Sequence, residues 1–144
     1  MERRAFLGSL AGPVVAACSV CMAACSKSGA GTSTNNTPNT PQVPVNFNVN
    51  LDTSLLTIGA SLVQSGVIVV RLASGNTPGS FTAVQVACTH EGTAINFNAG
   101  SNNFVCPNHG STFTTAGAVT VGPATSALKK YTINISGSTM TVTG

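Results

Sequence analysis

Cys88-Thr89-His90 and Cys106-Pro107-Asn108-His109-Gly110-Ser111 are the residues of this chain best suited to chemistry. These two short loops, with residues 91–105 between them, hold both histidines and the two cysteines that lie outside the first 25 residues. Thiolate sulfur and imidazole nitrogen are ligands for soft and borderline metals. A Cys and a His separated by one residue, facing a second pair separated by two, can turn inward from tight loops onto one site. Gly92, Pro107 and Gly110 supply the backbone geometry for such loops. Ligand type alone suits iron and zinc equally, so a structural zinc stands beside iron at this stage.

The elements that position these loops read as strands. From Asn46 onward Phe47, Val49 and Leu51 alternate with Asn46, Asn48 and Asn50, the period-two pattern of a half-covered strand. Residues 67–72 form a β-branched run expected to be buried, and the turn residues 74–79 lead into a strand over 81–86 that ends at the first Cys/His loop. Residues 94–98 and 103–105 predict a hairpin about Gly100 that delivers the second loop. Residues 111–115 and 118–121 predict another about Gly117, and residues 131–135 and 139–142 a last one through 136–138. No window beyond the N-terminus carries a 3.6-residue apolar stripe and no internal repeat is present, so the expected fold class is all-β.

A chain of 144 residues with 6% charged residues and no Trp permits one small domain with appendages. Beyond Arg3 and Arg4, the bases Lys27, Arg71, Lys129 and Lys130 face only Asp52 and Glu91, in no cluster and with no interleaved aromatics, so no nucleic-acid partner is expected.

Residues 1–25 have the character of an export signal: Arg3-Arg4-x-Phe6-Leu7 opens an uncharged run from Ala5 to Ser26 and resembles the twin-arginine export signal. That route carries folded proteins and suits a cofactor inserted before export. Val15-Ala16-Ala17-Cys18 and Met22-Ala23-Ala24-Cys25 resemble a bacterial lipobox. The chain turns polar at once after Cys25, and cleavage there would remove Cys18 and Cys21, lipidate Cys25 and leave Cys88 and Cys106 as the thiols. Cys25 is therefore the expected lipidation site, with Cys18 the alternative; an uncleaved membrane helix and plain secretion are the rival readings. Residues 26–45, almost all Ser, Gly, Thr, Asn and Pro, predict a flexible tether with a reach of roughly 25 Å. The expected organisation is signal 1–25, tether 26–45 and a β domain over 46–144, in a periplasmic or cell-surface lipoprotein.

Taken whole, Cys-x-His followed after residues 91–105 by Cys-Pro-x-His-Gly-Ser resembles the Rieske family of iron-sulfur proteins. The match continues through Phe113, Gly117-x-Val119, Gly122-Pro123-Ala124, Leu128 and Tyr131, and the strand layout from Asn46 onward is similar to the family's throughout. The resemblance implies an antiparallel β sandwich or barrel with a small cluster-binding subdomain of two loops. It implies a 2Fe-2S cluster with Cys88 and Cys106 on the inner iron and His90 and His109 on the outer one. Gly122-Pro123 would belong to the loop covering the cluster, and Ser111 would give a hydrogen bond to a bridging sulfide, favouring the reduced state. Two neutral imidazoles in place of two thiolates leave the oxidised cluster uncharged, the reason that such centres in general reach about −150 to +300 mV. Imidazole ligation also implies a midpoint that falls once the ring N–H begins to dissociate.

Two departures narrow the expectation. Phe113 stands where high-potential members often carry a Tyr whose hydroxyl bonds a cysteine sulfur. Thr93 and Asn108 stand where Rieske subunits of cytochrome bc complexes carry a clamping disulfide. The resemblance thus implies an intermediate potential and a one-electron carrier, docking unidentified redox partners near His90 and His109 on a largely uncharged rim of Ala94, Pro107 and Pro123. The alternatives are a small subunit of a larger oxidoreductase, such as a quinol or molybdenum oxidase, and an exported β domain with a structural zinc. A self-contained Rieske oxygenase is excluded, because its mononuclear iron would need histidines that the chain lacks.

Overall fold

Every residue of Val67–Arg71 is buried. Successive side chains of a strand point to opposite faces, so both faces of this one must be covered. The computed structural model, which describes residues 44–144, shows how: Val67 and Val69 enter one core, Ile68 and Val70 another. In chain order the strands are β1 (Asn46–Asn50), β2 (Ser61–Gln64), β3 (Val67–Arg71), β4 (Phe81–Gln85), β5 (Asn96–Asn98), β6 (Asn103–Val105), β7 (Thr112–Thr114), β8 (Val119–Val121), β9 (Thr132–Ser136) and β10 (Thr139–Thr143), with one 3-10 turn at Pro78–Ser80.

Three antiparallel sheets result, ordered β1-β10-β9, β2-β3-β4 and β5-β6-β7-β8. The first core joins Phe47 and Val49 of β1 and Met140 and Val142 of β10 to Val67, Val69, Phe81 and Ala83 of the β2-β3-β4 sheet. On the other side Ile68, Val70 and Val84 meet Ile95, Phe104, Phe113 and Leu128, together with Cys88 and Cys106. The all-β expectation thus holds, and the four-stranded sheet is the subdomain carrying the second Cys/His loop. Predicted strand ends shift by a residue or two, and β2 is a strand that the sequence pattern does not announce. Its one partly buried side chain, Leu62, supplies no alternation to read, and it is ordered by pairing Ser61–Gln64 against β3.

Arg71 closes the end of β3. It is a buried cation whose Nε donates to the Leu55 carbonyl, whose guanidinium nitrogens donate to Gly75 O and Asn76 Oδ1, both at 2.8 Å, and whose Cζ lies 4.5 Å from the Phe81 ring centre. The desolvated charge is met by fixed dipoles and a ring face. The signal assigned to residues 1–25, the lipidation sites Cys25 and Cys18, and all of the tether before Pro44 lie outside the described residues.

Candidate metal centre

The two Cys/His loops are built as the same turn. In the first, Cys88 N–H donates to Thr93 O at 2.8 Å and Gly92 N–H to Cys88 O at 2.8 Å. In the second, Cys106 N–H donates to Ser111 O at 2.8 Å and Gly110 N–H to Cys106 O at 3.1 Å. Both loops turn at a glycine of positive φ, Gly92 at 77° and Gly110 at 73°, where a side chain would be strained. The first loop leaves β4 and returns through Ile95, whose N–H bonds Val86 O at 2.8 Å. The second is the tip of the β6-β7 hairpin, registered by Phe104 opposite Phe113.

This architecture separates the donors by depth. Cys88 and Cys106 are buried against the second core, while His90 and His109 are exposed, with ring centres 5.0 Å apart and planes at 82°. Among the described residues, the donor atoms of His90, Glu91 and His109 lie within 4.8 Å of one another, and neither cysteine joins a group of three at that distance. Burial pushes the Cys106 thiol up, but the backbone N–H groups of Asn108 and His109 and the neighbouring Cys88 outweigh it and hold its pKa below the ordinary cysteine value, against the opposing charge of Glu91. A thiol so surrounded is prepared to act as a thiolate ligand. No disulfide ties the loops among the described residues: Cys88 and Cys106 are both free.

A third segment closes over the loops. Ser111 is fully buried, and its Oγ accepts the Ala124 N–H at 2.9 Å. Since that bond uses oxygen as acceptor, the hydroxyl proton remains to be donated elsewhere. Thr89 Oγ1 donates to Ser126 O at 2.6 Å, tying the first loop to the same segment. Pro123, one residue before Ala124, is exposed, as are Ala94 and Pro107. Phe113 is fully buried in the core that also holds both cysteines. A third tie joins the two loops directly: Asn108 Nδ2 donates to Glu91 Oε2 at 3.3 Å. Sequence reading missed Thr89, Glu91, Asn108 and Ser126 as contributors, because in a chain rich in polar loop residues nothing sets these apart.

Fold and site define an all-β protein with two sulfur and two imidazole donors on matched loops, a donor set suited to a metal centre. Comparison with known proteins makes this specific. A family model for the Rieske [2Fe-2S] domain matches residues 47–132. The fold is similar to that of the cyanobacterial plasma membrane Rieske protein of Synechocystis PCC 6803, at 34% identity and a TM-score of 0.56, covering 67% of this chain and 97% of that one. The ferredoxin of carbazole 1,9a-dioxygenase from Nocardioides aromaticivorans IC177 shares the fold, at 24% identity and a TM-score of 0.50 over 69% of this chain and 95% of that one. In sequence, the cytochrome b6-f complex iron-sulfur subunit of Chlorobaculum thiosulfatiphilum is 34% identical over 67 residues, 46% of this chain but only 37% of that relative. The chain belongs to the Rieske [2Fe-2S] domain family, and its cofactor is a 2Fe-2S cluster.

Proposed function

We propose that this chain is a one-electron carrier in which Cys88 and Cys106 hold the inner iron of the cluster and His90 and His109 the outer one. The observation that carries this reading is the separation of the donors by depth. A single tetrahedral zinc, with bonds of about 2.0–2.3 Å, would gather its four donors within roughly 4 Å of each other. The donors here fall instead into a buried cysteine pair and an exposed histidine pair, and neither cysteine joins the histidines in a group of ligand atoms within 4.8 Å, which supports two bridged irons over one zinc. The bound cluster supplies reversible uptake of one electron.

The protein's own residues then set the conditions for that uptake. Backbone N–H groups at Cys106 favour the thiolate form. Ser111 Oγ accepts the Ala124 N–H and so keeps its own proton, which would be donated to a sulfide of the bound cluster and favour added negative charge. The segment holding Pro123 is fixed to both loops through Ser111 and Thr89, limiting water at the buried side. The exposed imidazoles mark where the electron enters and leaves, by transient contact with redox partners yet to be identified. The N-terminal residues support an exported, lipid-anchored carrier, with residues 1–25 as signal, Cys25 or else Cys18 as the anchor, and 26–45 as the tether of a domain over 46–144.

A second reading has one observation in its favour: the cytochrome b6-f relatives are subunits of a complex. Purification from its native membrane separates the two. The carrier reading predicts an isolated protein giving a reversible one-electron voltammetric wave; constant recovery with a large catalytic subunit would favour the subunit reading.

A further inference from the structure

Glu91 is the carboxylate in contact with the site; the other one among the described residues, Asp52, follows β1. Glu91 comes directly after His90, and its Oε2 lies 3.5 Å from His109 Nδ1. Asn108 Nδ2 holds that oxygen at 3.3 Å, and Asn108 itself stands at 3.2 Å from the His109 ring nitrogen. A residue of the opposite loop thus holds the charge beside His109 and within 4.8 Å of a His90 ring nitrogen, and it does so at a position where the resemblance to cytochrome bc subunits would place half of a disulfide.

We infer that Glu91 lowers the midpoint potential of the bound cluster, and that Asn108 is the positioning residue that keeps its carboxylate against the site. The inference rests on the ligand assignment proposed above. Reduction adds one negative charge to the centre. A carboxylate whose oxygen lies within 4.8 Å of ring nitrogens of both histidines repels that charge, so the reduced state is disfavoured. Because the Glu91 side chain is 55% exposed, the repulsion is screened by salt. A hydrogen bond between two exposed side chains contributes little to stability. Its effect here is directional: it holds the carboxylate oxygen on the His109 side of the loop.

Voltammetry of the cluster-loaded full chain at neutral pH, in low and high salt, tests this with three variants. Glu91→Gln keeps an acceptor for Asn108 and the side-chain shape while removing the charge; its midpoint should rise above wild type and lose most of its dependence on salt. Glu91→Asp should stay near wild type, and Asn108→Leu should move in the same direction as Glu91→Gln but less far. An unchanged EPR spectrum of the reduced variants certifies that the cluster is intact. With that spectrum present, a Glu91→Gln midpoint equal to wild type overturns the role of Glu91 and leaves the iron-sulfur reading standing. An Asn108→Leu midpoint equal to wild type overturns the positioning role. Protein lacking acid-labile sulfide overturns both inference and ligand assignment.

Discussion

Phe113 fills a fully buried position opposite Phe104, in the core that also takes both cysteine side chains. Replacing it by tyrosine adds one hydroxyl at a depth where an unpartnered polar group costs about 1–3 kcal/mol, so the new group is driven to find an acceptor. A cysteine sulfur of the site is the acceptor that the family resemblance names. Phe113→Tyr should therefore raise the midpoint, by roughly 40 mV if the new bond favours the reduced state by ~1 kcal/mol; an unchanged midpoint in voltammetry would show that no such bond forms. At this scale the sequence was legible where residue types are scarce. Cys88, His90, Cys106 and His109 stand out by chemistry and spacing, whereas Ser111, one serine among many, is singled out only through the family resemblance. Thr89, Glu91 and Asn108 do not, since ordinary polar residues in loops carry no periodic signal, and only the fold brings Thr89 to Ser126 and Asn108 to Glu91.

Among the elements, the β7-β8 hairpin shows how the site depends on backbone shape. Gly117 turns it at φ 87°, and a Cβ built there would lie 2.9 Å from the Leu128 carbonyl oxygen, a backbone atom with nowhere to retreat. The same glycine takes the Leu128 N–H on its own carbonyl at 2.9 Å, joining the hairpin to the segment that follows Pro123. Gly117→Ala should destabilise the domain by about 2 kcal/mol or more, combining the left-handed backbone cost with the clash, and chemical denaturation would read it as a lower midpoint concentration. Wild-type stability in that variant would mean the carbonyl shifts freely. The strands that were legible are those with a covered face, such as β1 and its alternation or β3 and its unbroken apolar run. β2 was not, because an edge strand with one partly buried residue owes its conformation to its partner.

For the whole molecule, one sheet serves two cores. β3 and β4 give alternate residues to the β1-β10-β9 side and to the side with the cysteines, so the scaffold and the site share a rigid middle layer. An all-β class could be read from the strand grammar, but this partition into three sheets could not. Pairing β1 with β10 joins Phe47 to Val142, residues far apart in the chain whose local sequences carry no mark of each other. Delivery of the domain to a membrane is a separate expectation that rests on residues 1–45 alone. Growth with a radioactive fatty acid should label the wild-type protein, and Cys25→Ala should lose the label. A label kept by that variant would move the anchor to Cys18, and its absence from wild type would end the lipoprotein proposal. The central claim, that Cys88, His90, Cys106 and His109 hold a two-iron cluster, is met most directly by iron and acid-labile sulfide analysis joined to the EPR spectrum of the dithionite-reduced protein. The account predicts two irons and two sulfides per chain with the signal of a reduced 2Fe-2S centre; zinc without sulfide, and no signal, would contradict it.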